Sequence, residues 1–183
     1  MRVVTGSARG TKLITPSGDA VRPTSDRAKE GIFSAIQFEV EGARILDLFC
    51  GSGQLGIEAL SRGADWAVFV DASAASVDAT RQNLMGADLL ERARIFTQDA
   101  ASYVGRCKEQ FDIVFMDPPY AELKLGSGLV VKLAALVSPG GVIFYETARG
   151  ADVPERAGNF VLARYYHYGK SSIAAYRSRE ETL

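Results

Sequence analysis

The sequence has few of the residues that build metal centres and disulfide frameworks. Its 183 residues include one histidine and two cysteines, Cys50 and Cys107, which lie far apart in the chain. Zinc ligands and framework cysteines recur at short, characteristic spacings, so neither kind of site is indicated. The sequence therefore predicts no metal and a reducing, cytoplasmic environment.

Long apolar runs are also missing, although 47% of the residues are hydrophobic. No stretch approaches the roughly 20 apolar residues of a membrane span, and the opening segment MRVVTGSARG lacks the apolar core of a signal peptide. The length and composition are those of one soluble globular unit. We expect a monomer that is neither secreted nor inserted into a membrane.

The chain as a whole has no excess of one charge, since its formal net charge is -1, but the charges are unevenly distributed. Residues 1–29 carry six basic side chains and two acidic ones, so the rest of the chain is acidic overall. This asymmetry is expected of a catalytic domain with an arm for phosphates, although a solvated basic surface explains it equally well. The candidates for contact with nucleic acid are Arg2, Arg9 and Lys12.

From residue 43 onward, apolar runs of strand length alternate with amphipathic stretches of helix length. Examples are the runs ARILDLF, WAVFVD and FDIVFMD, separated by QLGIEALSR and SAASVDATRQNLMGA. Such alternation predicts crossover units, and we expect a Rossmann-like α/β fold with a mostly parallel seven-stranded sheet and helices on both faces.

The two ends of the chain depart from this alternation. Residues 1–21 predict a small β extension, and residues 25–39 predict a helix with Thr24 or Ser25 as its cap. Near the carboxyl end, two runs separated by Gly169-Lys170 predict an antiparallel hairpin. The lone His167, in the first of these runs, is expected to be partly buried and structural.

A glycine-rich segment, Asp47-Leu48-Phe49-Cys50-Gly51-Ser52-Gly53, joins the first predicted core strand to its helix. Glycines let a ligand approach the backbone, and the helix start supplies N–H groups. With Gly56 the segment also fits the dinucleotide pattern G-x-G-x-x-G, which alone is weak evidence. Asp47 at the strand end instead matches the S-adenosylmethionine loop of class I methyltransferases, and Asp71 ends the next strand, where a carboxylate can bind a ribose.

A second motif, Asp117-Pro118-Pro119-Tyr120, follows the apolar strand FDIVFM. The two prolines cannot donate hydrogen bonds, so the carbonyls around them remain available as acceptors. Asp117 and the Pro118 carbonyl can accept both N–H bonds of an exocyclic amine, orient its lone pair toward a sulfonium methyl, and stabilise the developing positive charge. Tyr120 can stack on an extruded base. The motif therefore predicts methylation of a base amine.

Together with RPTSDRAKEGIF and GSARGTKL, these motifs resemble the bacterial family of 16S ribosomal RNA guanine-N2 methyltransferases, which modify one guanine in the loop of helix 31. The resemblance runs from about Gly6 to Tyr176. It implies a basic extension over residues 1–21, a class I methyltransferase domain over 22–183, S-adenosylmethionine as cofactor, and 16S rRNA or an assembling small subunit as partner. The implied cofactor residues are Asp47, Gly51 and Gly53 at the methionine end, Arg22 and Thr24 closing over that end, Asp71 at the ribose, and Asp99 with Ala100 at the adenine; the target base is assigned to Asp117, Pro118, Pro119 and Tyr120.

Two other functions stay open at this point. A DNA adenine-N6 methyltransferase would use the same acceptor loop, although the chain has no large insertion that could recognise DNA. A ribosome-assembly factor that has lost catalysis would keep the fold, but it would have no chemical need for Asp47, Asp71 and Asp117 together. A cytosine-C5 mechanism needs a thiolate nucleophile. Neither cysteine follows a proline or lies in a recognisable nucleophile loop, so the sequence argues against this mechanism.

Overall fold

A computed structural model describes residues 1–16 and 25–178. Two of the residues assigned to the cofactor, Arg22 and Thr24, lie outside the described residues. The helices are α1 (Asp26–Ala35), α2 (Gln54–Ser61), α3 (Ala74–Gly86), α4 (Ala100–Arg106) and α5 (Leu123–Leu133). The strands are β1 (Arg44–Leu48), β2 (Trp66–Asp71), β3 (Ala93–Thr97), β4 (Phe111–Met116), β5 (Val137–Ala148), β6 (Arg156–Ala157), β7 (Phe160–Tyr168) and β8 (Ser171–Ser178).

All of these strands belong to one sheet, in the order β3-β2-β1-β4-β5-β8-β7-β6. The first five strands along the chain are parallel, and β8, β7 and β6 join them in antiparallel fashion. The Rossmann-like α/β fold and the terminal hairpin are therefore confirmed. The predicted number of seven strands is one short, because β6 has only two residues and leaves no periodic pattern in the sequence.

Helices cover both faces of the sheet, as the continuous apolar strands require. One face packs against α1, α2 and α3 through side chains such as Ile45 and Phe115, and the other packs against α4 and α5 through Leu46 and Val114. Within the described residues, no helix is long and apolar enough to cross a membrane.

Helix α1 has the predicted cap and buried face but ends earlier than predicted. The Ser25 hydroxyl accepts the N–H of Ala28 at 3.2 Å. Ile36 leaves the helical conformation, with φ -120°. A turn closed by the N–H of Glu39 and the Ile36 carbonyl then follows. This turn still buries Val40, so the apolar pattern continues past the end of the helix.

The amino-terminal segment lies against α1 and α2. An antiparallel bridge pairs Arg2 with Lys12, and Val3, Ala8 and Leu13 are buried in the core. The carboxylate of Glu58, on α2, accepts the N–H groups of the adjoining residues 4 and 5 at 2.9 and 3.0 Å. The segment is therefore bound to the domain through both apolar contacts and a buried anion.

One of the basic residues counted in the sequence is not on the surface. The side chains of Lys29 and Glu58 are fully buried, and Lys29 Nζ lies 3.5 Å from the Glu58 carboxylate. The ammonium also donates to the Arg2 carbonyl at 2.9 Å. The charge of Lys29 is thus neutralised inside the protein, so residues 1–29 present one basic side chain fewer at the surface than the sequence predicts.

Candidate functional site

The carboxyl ends of three neighbouring strands bring the predicted site residues together. Leu48 at the end of β1 lies opposite Val70 of β2 and Met116 of β4. Asp71 and Asp117 therefore stand on the two sides of the chain that leaves β1, and the N–H of Asp117 donates to the Leu48 carbonyl at 3.4 Å. The strand order reverses beside β1, which is where open α/β sheets bind their ligands.

The glycine loop turns sharply between β1 and α2. Gly51 and Gly53 adopt φ values of 57° and 75°, a region that glycine occupies without steric cost. The N–H of Gly53 closes the turn on the Cys50 carbonyl at 2.7 Å. Gly53 is also the cap residue of α2 and offers no side-chain hydrogen bond to the start of this helix, whose first turn is buried.

Asp71 is held in place by the loop that it faces. One carboxylate oxygen accepts the N–H of Gly51 at 2.9 Å, and the other accepts the N–H of Ser73 at 2.9 Å. Each oxygen of a carboxylate has a second lone pair, so this fixed group can still accept hydrogen bonds from a diol. The donors and acceptors around the loop therefore fit the ribose of a nucleoside cofactor.

Asp47 is buried beneath the same loop. Its Oδ2 accepts the N–H of Gly56 at 2.9 Å. Burial raises the pKa of Asp47 to about 8, the negative charge of Asp71 acts in the same direction, and the hydrogen bond from Gly56 opposes both. A cation next to Asp47 would favour its ionised form, so the position suits the ammonium of a methionine group.

Two residues of α3 that sequence reasoning missed hold the glycine loop from outside. Thr80 Oγ1 donates to the Gly51 carbonyl at 2.9 Å, and Asn83 Nδ2 donates to the Ser52 carbonyl at 2.9 Å. The buried Asn83 amide also binds both backbone groups of Ile14, at 2.8 and 2.9 Å. It therefore links the amino-terminal segment to the loop. The only signal in the sequence is that two polar residues stand three apart on one helix face.

Asp99 and Ala100 lie farther along the same edge. They follow β3, whose Thr97 is opposite Asp71, and the N–H of Gln98 donates to the Asp71 carbonyl at 2.9 Å. Asp99 caps α4 by accepting the N–H of Ser102 at 2.9 Å, while Ala100 is buried. Both therefore follow a residue that is bonded to Asp71, and their contact with an adenine stays a prediction.

The Asp117 loop lies on the other side of β1. Asp117 is half-buried, Pro118 is buried and Pro119 is exposed. Tyr120 begins a short turn of 3₁₀ helix that leads into α5. A small pocket opens against the two prolines, with Thr147 of β5 in its wall. Pro118 and Pro119 thus line a cavity while the Asp117 backbone remains bonded to β1.

The three candidates for contact with nucleic acid are exposed but are not gathered at one place. Arg2 and Lys12 are paired in the antiparallel bridge. Arg9 lies in the turn that docks on Ser61, at the opposite end of α2 from the glycine loop. The contact of these residues with RNA stays a prediction.

The cysteines are poorly suited to nucleophilic chemistry. Burial raises the pKa of the Cys50 thiol well above its usual value, with the nearby Asp47 carboxylate acting in the same direction. Cys107 lies at the end of α4, 3.6 Å from the Tyr103 hydroxyl. Within residues 1–16 and 25–178, no group of three potential metal ligands occurs.

Known proteins share this architecture along nearly the whole chain. Residues 1–177 match the family model described as "Conserved hypothetical protein 95". The chain is 38% identical over 183 residues to "Putative rRNA methyltransferase YlbH" of Bacillus subtilis, covering 98% of this chain and all of that protein. It is 30% identical to "Ribosomal RNA small subunit methyltransferase D" of Escherichia coli strain K12, covering 97% and 89%.

A solved structure agrees with these relatives. "Putative methyltransferase yhhF from Escherichia coli" superposes with a TM-score of 0.86 at 30% identity, covering 97% of both chains. The predicted cofactor, S-adenosylmethionine, is confirmed by these methyltransferase relatives and fits the loop, the buried Asp47 and the fixed Asp71. The chain therefore belongs to this family of S-adenosylmethionine-dependent methyltransferases, which confirms the resemblance that its motifs predict.

Proposed function

We propose that the protein transfers a methyl group from S-adenosylmethionine to the exocyclic N2 amine of a guanine in 16S rRNA, in the loop of helix 31 of the small ribosomal subunit. The observation that carries the proposal is the position of the Asp117-Pro118 acceptor pair, one strand from the glycine loop and bonded to the end of β1. The name of the E. coli relative supports ribosomal RNA as the substrate class.

The acceptor pair compensates for the low nucleophilicity of an exocyclic amine. The lone pair of an exocyclic amine is delocalised into the base, so the amine attacks slowly in solution. Two acceptors fixed on a rigid loop orient both N–H bonds and stabilise the positive charge that forms on nitrogen during attack. The bound cofactor supplies an electrophilic methyl on a sulfonium. The Asp117 carboxylate can take up the proton, because a methylated amine with a full positive charge is acidic.

The cofactor is proposed to lie along the carboxyl edge of β1, β2 and β3. Gly51 and Gly53 allow its close approach, Asp47 faces its ammonium, and Asp71 accepts its ribose hydroxyls. Asp99 and Ala100 border the adenine end, one strand farther from the Asp117 loop. This order puts the methionine half, which carries the reactive methyl, nearest the target base.

The RNA is proposed to lie across the basic extension. Arg2, Arg9 and Lys12 are exposed cations on a segment that the Asn83 amide joins to the cofactor loop. Phosphate contacts of this kind position a nucleic acid without reading its sequence. The extension over residues 1–21 thus serves the substrate, and the domain over 22–183 serves the cofactor and the reaction.

Methylation of natural particles tests this proposal. Small subunits from cells that lack the enzyme are incubated with the protein and labelled S-adenosylmethionine, and the RNA is digested to nucleosides. We expect a labelled N2-methylguanosine that maps to the helix 31 loop. Labelled N6-methyladenosine would refute the assignment of the amine, and absence of label in RNA would refute the enzymatic function. Matched DNA fragments in parallel reactions should remain unlabelled.

A further inference from the structure

A group of exposed side chains outside the proposed site lies at the same edge of the sheet. β5 runs parallel to β4 and ends at Ala148, directly opposite Ser171 at the start of β8. The turn before Ser171 therefore stands at the edge that carries the Asp117 loop. Arg149, His167 and Lys170 are exposed there, and we call these three residues the hairpin-end surface. The exposure of His167 corrects the expectation that it is partly buried.

Backbone contacts hold the hairpin-end surface in a defined shape. The N–H of Arg149 donates to the Lys170 carbonyl at 2.9 Å, and its guanidinium donates to the Gly169 carbonyl at 3.3 Å. His167 Nδ1 lies 2.8 Å from Ser172 Oγ. A surface that is ordered before binding loses less conformational entropy when a ligand arrives.

The same surface connects to the pocket beside the Asp117 loop. The ring of His167 lies 5.0 Å from that of Tyr165. The Tyr165 hydroxyl donates to the Ala151 carbonyl at 3.1 Å and lies 3.2 Å from Thr147 Oγ1, and both of these residues line the pocket. Adjacent strands are about 4.8 Å apart and rise about 3.3 Å per residue, and the hairpin turn lies beyond the level of Met116 along the strands, so the hairpin end lies roughly 15 to 20 Å from the end of β4. This distance is suited to nucleotides that flank a base held at Pro118.

The charges of the hairpin-end surface also favour RNA as its ligand. Within the described part of the chain, neither Arg149 nor Lys170 forms an ion pair with a carboxylate. The proposed site itself is rich in carboxylates, which repel a phosphate backbone unless cations stand nearby. An exposed imidazole next to those cations can stack on an unpaired base, as single-stranded RNA requires.

We propose that the hairpin-end surface binds the single-stranded RNA that flanks the target nucleotide. Lys170 and Arg149 contact its phosphates, and His167 stacks on a neighbouring unpaired base. This inference rests on the proposed function, because it takes the Asp117 loop as the position of the target base. It adds a second contact region to the basic extension, on the other side of that loop.

The salt dependence of RNA binding tests the contact at Lys170. A labelled RNA hairpin with the helix 31 loop is titrated with wild type, Lys170→Gln and Lys132→Gln at several potassium chloride concentrations. Lys132 is a matched control, because it is an exposed lysine at the far end of α5. We expect the slope of log K against log salt to fall by about 0.7 for Lys170→Gln, the value of one single-strand phosphate contact. Lys132→Gln should keep the wild-type slope.

The stacking contact has its own variant. His167→Ala should weaken binding of the same hairpin roughly tenfold, in the range found for loss of one stacked base. It should raise the KM for RNA far more than it lowers kcat and leave S-adenosylhomocysteine affinity unchanged. Wild-type slopes in Lys170→Gln, or wild-type RNA affinity in His167→Ala, would overturn the inference while leaving a methylating wild type and its proposed function intact. A wild type that neither binds nor methylates the RNA, as the hairpin or in small subunits, would overturn both.

Discussion

Replacement of Asp47 by Asn tests whether the carboxyl beneath the glycine loop is protonated in the folded protein. Its pKa is about 8 when folded, because the side chain is buried. The pKa of an unfolded Asp is about 4. Between these values the folded protein holds a proton that the unfolded chain has lost. The free energy of unfolding of the wild type therefore falls as pH rises, by up to about 1.4 kcal/mol per pH unit from this site.

Asp47→Asn has no proton to lose and lacks this contribution. The free energy of unfolding of the variant, minus that of the wild type, should therefore grow by about 3 kcal/mol between pH 5 and pH 7. Urea denaturation at each pH measures it, with the fluorescence of Trp66, the only tryptophan, as the signal. Other titrating groups are shared by the two proteins and largely cancel. A difference that does not change with pH would refute the protonated state of Asp47.

The same carboxyl should make cofactor affinity depend on pH. A bound ammonium favours ionised Asp47, so below about pH 8 binding must release the proton. Affinity for S-adenosylhomocysteine should thus increase with pH toward this value in the wild type. Asp47→Asn should bind more weakly and lose that part of the increase. Calorimetric titrations at pH 6, 7 and 8 measure the effect, and parallel pH profiles in the two proteins would contradict the role of Asp47.

Three further substitutions test the loop and the extension. Gly56→Ala should lower the free energy of unfolding, measured in urea, by about 1–3 kcal/mol, because its Cβ would lie 2.3 Å from Phe69. Gly86→Ala is the control, because its Cβ meets nothing within 4 Å. Equal stabilities of Gly56→Ala and the wild type would contradict the packing. Asn83→Ala should lower S-adenosylhomocysteine affinity roughly tenfold by freeing the Ser52 carbonyl, whereas exposed Gln82→Ala should not; equal affinities would show that the loop needs no such support. Replacement of both Arg9 and Lys12 by Glu should weaken RNA binding and flatten its salt dependence without changing cofactor affinity. An unchanged slope of log K against log salt would count against the extension as an RNA contact.

The parts of the site that could be predicted are those tied to strand ends. Asp47, Asp71 and Asp117 each follow or close an apolar run, and parallel strands place such residues at one edge of the sheet. Their convergence therefore follows from the chain topology, without knowledge of packing. The glycines are equally visible, because few other residues adopt the left-handed conformation of Gly51 and Gly53.

The residues that support the site could not be predicted from the sequence, because their contacts depend on packing between distant parts of the chain. Glu58 and Lys29 are charged, and charged side chains are rarely buried, so the sequence gives no reason to pair them inside the domain. Thr80 and Asn83 act through backbone carbonyls of a loop 29 and 31 residues earlier in the chain. Such contacts depend on how α3 packs against the loop, and no local pattern encodes that geometry.

The position of His167 shows a similar limit. An aromatic strand predicts burial for its members, but His167 is exposed, although Tyr165 on the same face of β7 is partly buried. The strand pairing puts His167 opposite Ser172, two residues beyond the level of Met116 at the end of β4. The antiparallel register thus decided what composition could not.

Methyl transfer by Asp117→Ala is the most direct test of the account. Single-turnover rates on small subunits and affinities for S-adenosylhomocysteine are measured for this variant, for the wild type and for Asp112→Ala, a control at the opposite end of β4. Loss of one fixed electrostatic contact to the transition state should slow Asp117→Ala by about 10²- to 10³-fold while its cofactor affinity stays within a few-fold. Wild-type rates in Asp117→Ala would contradict the account.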